Sequence, residues 1–130
     1  MNMISRENAE EQLKALLDFY DIDLDLQDET GKLKIIIETK LIKAIEKGIV
    51  EITNDTEEFL VTQNLKDGSQ LVYKEMSGIA KVQMDKYEGK NQRLYALLAS
   101  LSKKPIELIQ KLKGQDLSTA EYLGMIFLMG

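Results

Sequence analysis

The stretch FLVTQNLKDGSQLVYK, residues 59–74, decides the fold. Phe59 to Leu65 and Gln70 to Lys74 are rich in β-branched and aromatic side chains, and Lys66-Asp67-Gly68-Ser69 lies between them. An Asp-Gly pair joining two such runs is a strong short-range hairpin signal, because those residues accept the positive φ that tight turns demand. Upstream, Ile49, Glu51, Ile52 and Thr53 lead to the turn residues Asn54 and Asp55, which offers a third strand. A sheet of two or three strands is marginal alone in water, so helices must cover one face.

Helical patterns lie on both sides of it. Ala9, Leu13, Leu16, Leu17 and Tyr20 recur at helical spacing, with Arg6, Glu10, Glu11, Lys14 and Asp18 between them. Leu33, Ile37, Leu41 and Ile45, widened by Ile36, Ile42 and Ala44, form a second stripe that Gly48 ends. After the hairpin, Ile79, Ala80, Met84 and Tyr87 make a short stripe before Gly89, and Leu94, Leu97, Leu98 and Leu101 make a stronger one. Pro105 suits the first turn of the next helix, where its missing N–H has no partner to lose. That helix buries Ile106, Ile109 and either Leu108 or Leu112, and Gly114 is expected to stop it. Ser118 and Glu121 have capping-box spacing, with Leu117 and Tyr122 at the staple positions, so the last helix is expected to start at Ser118.

The expected class is therefore α+β: a small antiparallel β-hairpin or three-stranded sheet flanked by amino-terminal helices and a carboxy-terminal bundle of short helices. Residues 1–130 are read as a single domain. Within it, 1–48 is mainly helical with an acidic connector at 18–31, 49–75 is the hairpin region, and 76–130 is helical. At 130 residues such a chain buries roughly two-thirds of its unfolded surface.

The residue inventory narrows the chemistry. There is no Cys and no His, which removes thiol nucleophiles, disulfides, imidazole bases and the ordinary zinc ligands. Neither GxxxxGK[ST] nor GxGxxG occurs, and the acids of the helices fall on their polar faces. Asp21, Asp23 and Asp25 imitate the start of a calcium loop, but Leu26 stands where the Gly should be and Lys32 where the bidentate Glu should be. No enzyme, no catalytic, cofactor-binding or metal-binding residue, and no cofactor is expected. The amino terminus has no secretory pattern, and no stretch reaches the ~20 apolar residues of a membrane span, so a cytoplasmic protein without a membrane partner is expected.

Charge is unevenly distributed. The first 60 residues hold 15 acids and 7 bases, whereas the remaining 70 hold 7 acids and 10 bases. The later Lys residues are spread among apolar positions. The segment after Ser118 has one Glu and no base to place in a DNA groove, so nucleic acid is not an expected partner.

Two segments resemble the small tail assembly chaperones of long-tailed bacteriophages. YKEMSG, Tyr73 to Gly78, leaves a hairpin, and LYALLASLSKKPIELIQKLKGQDLSTAEYLG, Leu94 to Gly124, follows about fifteen residues later. In that family a strand ending in a basic residue, Glu, Pro, Thr and Gly leads into a helix. A Leu-rich helix, a helix opening near a Pro, and a Leu-Asp-Leu type link into a final helix come next. Lys74, Glu75, Ser77 and Gly78 fit this pattern, Met76 departs from the Pro, and Gln115-Asp116-Leu117 fits the link. IKAIEKGIVEI, residues 42–52, also looks like the approach to the sheet in such proteins.

The resemblance implies a non-enzymatic role in the host cytoplasm, where the chain binds the phage tape measure protein and keeps it soluble until tail tube protein polymerises around it. Such families often make a longer form as well, by ribosomal frameshifting near the end of the short reading frame. Leu94, Leu98, Leu101, Ile109, Leu112, Tyr122, Met125, Ile126 and Met129 are the residues expected to meet the partner, through an adaptable Leu- and Met-rich face. The same composition suits a tail or neck structural subunit, or an acidic helical DNA-binding regulator. Because the last helix is apolar nearly all round, it admits a homo-oligomer as readily as a buried position in a monomer.

Overall fold

A computed structural model describes residues 3–22, 32–54, 59–75 and 77–129. It has the α+β fold expected, with six helices and a three-stranded antiparallel sheet among these residues. In chain order the elements are α1 (Arg6–Phe19), α2 (Lys32–Glu46), β1 (Val50–Asn54), β2 (Phe59–Asn64), β3 (Gln70–Tyr73), α3 (Gly78–Asp85), α4 (Lys90–Ser102), α5 (Ile106–Gln110) and α6 (Gly114–Met129).

The sheet order is β1-β2-β3. Pairing sets Val50 against Gln63, Ile52 against Val61, Val61 against Tyr73 and Gln63 against Leu71. Period-two alternation therefore places Phe59, Val61, Gln63, Leu71 and Tyr73 in one buried layer. The hairpin turn closes as the sequence indicates. The Leu65 N–H donates to the Ser69 carbonyl at 2.9 Å, Gly68 has φ 91°, and the Asp67 carboxylate accepts the Ser69 N–H at 2.8 Å. That local bonding holds the Asp67 carboxyl below its usual pKa.

Local signals account for several helix ends. Ser5 caps α1 by accepting the Asn8 N–H at 3.2 Å. Gly48, at φ 76°, stops α2, while the Ile49 N–H reaches back to the Ala44 carbonyl at 2.9 Å. The same turn is clamped to the sheet, because the Asn64 side-chain amide donates to the Gly48 carbonyl at 2.7 Å. The acidic connector starts later than expected, since α1 continues through Asp18 to Phe19 and Ile22 is buried. Its remainder, residues 23–31 with most of the imperfect calcium loop, lies outside the described residues.

The start of the last helix differs from the sequence expectation. Gly114, at φ 56°, does not end α5, which stops at Gln110; it is the first residue of α6. Ser118 and Glu121 consequently sit inside the helix and form no capping box. Two tertiary contacts account for the earlier start. The Asp116 carboxylate accepts the Lys66 N–H of the hairpin turn at 3.3 Å, and the Asp116 carbonyl accepts the Gln63 side-chain amide at 2.8 Å. An acid in the first turn also suits the helix dipole. Glu121 turns elsewhere and accepts the Tyr95 hydroxyl proton at 3.1 Å. Pro105 lies one position before α5, as its cap, rather than within its first turn.

Neighbouring helix pairs are α1 with α2, α2 with α6, α6 with α4, and α4 with α3, while α5 packs on α4. Thus α6 occupies the middle. Leu97, Leu98, Ile109, Ala120, Leu123, Ile126 and Phe127 are fully buried, and they belong to one hydrophobic cluster with Leu16, Ile37 and Leu71. The ring of Phe127 lies 5.5 Å from that of Tyr73 and 5.8 Å from that of Tyr20, so the end of α6 meets both β3 and α1.

Close approach of α6 and α4 requires Gly124. A Cβ there would come within 2.5 Å of Leu94 Cδ1 and 3.2 Å of Leu94 Cγ. Overpacking costs about 1–3 kcal/mol, and the gain in helix propensity returns about 1 kcal/mol. Gly124→Ala should therefore lose up to about 2 kcal/mol in urea unfolding; a gain in stability would show that the two helices are farther apart.

Buried tyrosines give the fold an alkaline limit. The Tyr73 hydroxyl, pushed up by burial, donates to Gln63 Oε1 at 2.8 Å. Tyr20 is pushed up to about 12, first by burial and then by the Glu75 charge. Each native phenol holds its proton above the unfolded value near 10, so between these values the unfolded chain binds fewer protons and stability falls as pH rises. A fully titrating Tyr73 contributes a slope of about 1.4 kcal/mol per pH unit. Urea midpoints should hold steady up to pH 9.5 and fall above 10, less steeply in Tyr73→Phe; an unchanged slope in that variant would refute the assignment.

Candidate functional site

The nine side chains expected to meet a partner do not form one accessible face. Leu94, Leu98, Leu101, Ile109 and Ile126 are in the core, at most 5% exposed. Leu112, Tyr122, Met125 and Met129 are half-buried. The expectation of a common docking face is corrected by the packing order: the leucine stripe of α4 is covered by α6 and α5 of the same chain. Met84 also packs into the core.

Apolar side chains are exposed in other places. On α3, Ile79 is 71% and Val82 59% exposed, three residues apart and hence on one side of the helix, while Ala80 and Met84 face inward. Ile79 thus falls off the buried stripe in which the sequence placed it. Ile35 and Ile36 on α2 are 64% and 45% exposed, although Ile36 was expected inside. Phe19 is half-open, stacked on Phe59 with centroids 4.4 Å apart and planes 9° apart. Leu128 is the exposed large apolar side chain of α6.

A groove of about 440 Å³ runs between α2 and α6. One wall carries Lys40 and Lys43 of α2 and Lys47 just past its end, all exposed, and the α6 wall carries Gln115, Ser118 and Tyr122. Leu41, Ala44 and Thr119, all buried, form the floor. The two carboxylates on α6 are bonded to other elements, Asp116 to the hairpin turn and Glu121 to Tyr95. The Tyr95 hydroxyl is raised by partial burial and by that Glu121 contact.

A second cleft, about 560 Å³, lies between the hairpin tip and the first turn of α6. Glu51, Lys66, Asn64, Gln70 and Asp116 line it with mixed charge and amides. Among the described residues no group of three or more acids, His or Cys is placed to hold a metal ion. Every buried side-chain nitrogen and oxygen among them has a hydrogen-bond partner. No described helix is long and apolar enough to cross a membrane.

Gln63 was not singled out from the sequence, yet it is the one fully buried amide in the sheet layer and joins Tyr73 of β3 to Asp116 of α6. The signal was present in the alternation Phe59, Val61, Gln63, which puts it inward.

No protein-family model matches this chain. No curated protein and no solved structure shows significant similarity to it.

Proposed function

We propose that this chain is a non-enzymatic phage or prophage tail assembly chaperone that holds the tape measure protein soluble in the host cytoplasm until the tail tube forms. The observation that carries the reading is the segment YKEMSG opening directly into α3, whose Ile79 and Val82 are exposed on one side. A chaperone for a long helical chain needs apolar surface outside its own core. Ile35, Ile36 and Leu128 add to that surface, and the acid-rich first half of the chain favours solubility of a complex. The partner face is thus reassigned from the core leucines of α4 to α3.

Fully covering two aliphatic side chains contributes about 3 kcal/mol, on the order of 100-fold in affinity. Coexpression with the tape measure protein of the same genome should bring that protein into the soluble fraction as a complex. Ile79→Glu/Val82→Glu should keep its fold, because both positions are exposed, and lose the complex. A tape measure protein that stays insoluble with the native chain would sink the proposal, and a double variant that copurifies at unchanged stoichiometry would sink the assignment to α3. The chain should also be absent from purified particles, which separates a chaperone from a tail or neck subunit.

A further inference from the structure

The geometry points to the α2–α6 groove as a docking site for an acidic amphipathic helix. This inference stands on the groove and does not depend on what the partner of α3 is. Residues 1–60 contain only seven bases, and Lys40, Lys43 and Lys47 are three of them. Lys40 and Lys43 are on α2 and Lys47 is in the turn that follows it, its N–H still bonded to the Lys43 carbonyl at 3.1 Å, so the spacing i, i+3 and i+7 keeps the three on one side along about 10 Å of helix axis. Facing them, α6 presents only amide and hydroxyl groups in the groove: Gln115, Ser118, Thr119 and Tyr122. Among the described residues no carboxylate pairs with these lysines within ion-pair distance. A line of cations one turn apart complements carboxylates one turn apart, the spacing that a second helix supplies at i, i+3 or i+4, and i+7.

The α6 wall selects the rest of the occupant. The half-buried Tyr122 ring lines the groove opposite the lysines, so a helix with an apolar stripe beside its acids fits better than a free anion. A nucleic-acid backbone fits less well. Ile49 and Gln115 at one end also border the neighbouring cleft, where Glu51 and Asp116 would repel a continuing phosphate chain. The site is therefore short and cationic within an acidic molecule.

The test uses the full chain and two synthetic 18-residue helical peptides with the same leucine stripe, one flanked by Glu at the spacing above and one with Lys in place of Glu. Fluorescence anisotropy at about 0.15 M salt, where exposed charges farther apart than roughly 8 Å are screened, should show the Glu peptide binding at least tenfold more tightly. Amide NMR shifts should move at Ser118, Thr119 and Tyr122. Lys40→Glu/Lys43→Glu/Lys47→Glu should abolish the preference with its circular dichroism unchanged. Lys81→Glu/Lys86→Glu, which alters two exposed lysines of similar type on the α3 side, should retain it. Equal binding of the two peptides, shifts confined to other elements, or equal loss from the Lys81/Lys86 variant would each overturn the proposal. So would a short DNA duplex competing through the same lysines, or self-association of the native chain that the triple variant removes.

Discussion

Phe127→Ala is expected to cost about 3–5 kcal/mol of folding stability, roughly a fifth or more of what a domain of this size typically possesses. The ring is fully buried and approaches Tyr73 on the sheet and Tyr20, the residue that caps the end of α1. Truncation loses the transfer energy of the ring and leaves a cavity that three separate elements would have to close together. Its neighbour provides the contrast. Leu128 is 41% exposed, so Leu128→Ala should stay within about 1 kcal/mol of the native chain. Urea unfolding of the two variants reads both values directly. Equal losses would show that α6 is rotated from the position described, and a loss below 1 kcal/mol at Phe127 would show that its end is not packed. For the same reason, deleting residues 115–130 is a poor test of partner binding, because it removes the central helix of the fold.

Gln63→Leu is expected to cost about 2–3 kcal/mol although it puts a hydrophobic side chain into a hydrophobic layer, since an orphaned buried polar group costs about 1–3 kcal/mol. The Tyr73 hydroxyl loses its acceptor, and the Asp116 carbonyl loses the amide that ties α6 to β2. Tyr73→Phe alone should cost about 1–2 kcal/mol, by leaving Gln63 Oε1 without its donor. Combining them removes both ends of the bond, so the double variant should be more stable than the sum of the single losses predicts, by 0.5 kcal/mol or more. Additive losses would mean that the two side chains do not share a hydrogen bond. The cycle also separates this contact from the alkaline titration of Tyr73, because it is measured at neutral pH.

How much of this could be read in advance depended on whether the deciding contact was local. Gly48, Asp67-Gly68 and Ser5 act through neighbours a few residues away, and the turn or cap at each follows from the adjacent sequence. Ser118 and Glu121 had an equally good local pattern and still misled. The start of α6 is fixed by Asp116 bonding to residues 50 and 53 positions earlier in the chain, which no window around Ser118 contains. The leucines of α4 show a related difficulty. Their spacing identified a buried side, but periodicity does not distinguish a side covered by the chain itself from one covered by a partner. Leu94 and Leu98 were therefore assigned to a docking face although Gly124 brings α6 directly against them. On α3, Ile79 and Ala80 are neighbours, and hydropathy favours Ile79 for the core; yet the small one is inside and the large one outside. Tyr122 is the member of the expected set that lines the α2–α6 groove.

The central place of α6 has a consequence for how the protein is made. Both helices that flank it, and the strand that meets Phe127, are synthesised earlier. Until α6 docks, α2 and α4 have no helix to separate them, and the leucines of α4 are without the side chains that later cover them. The interval between emergence of α4 and docking of α6 is thus when the new chain presents the most apolar surface to aggregation or to another apolar helix, a vulnerability that the finished fold no longer displays.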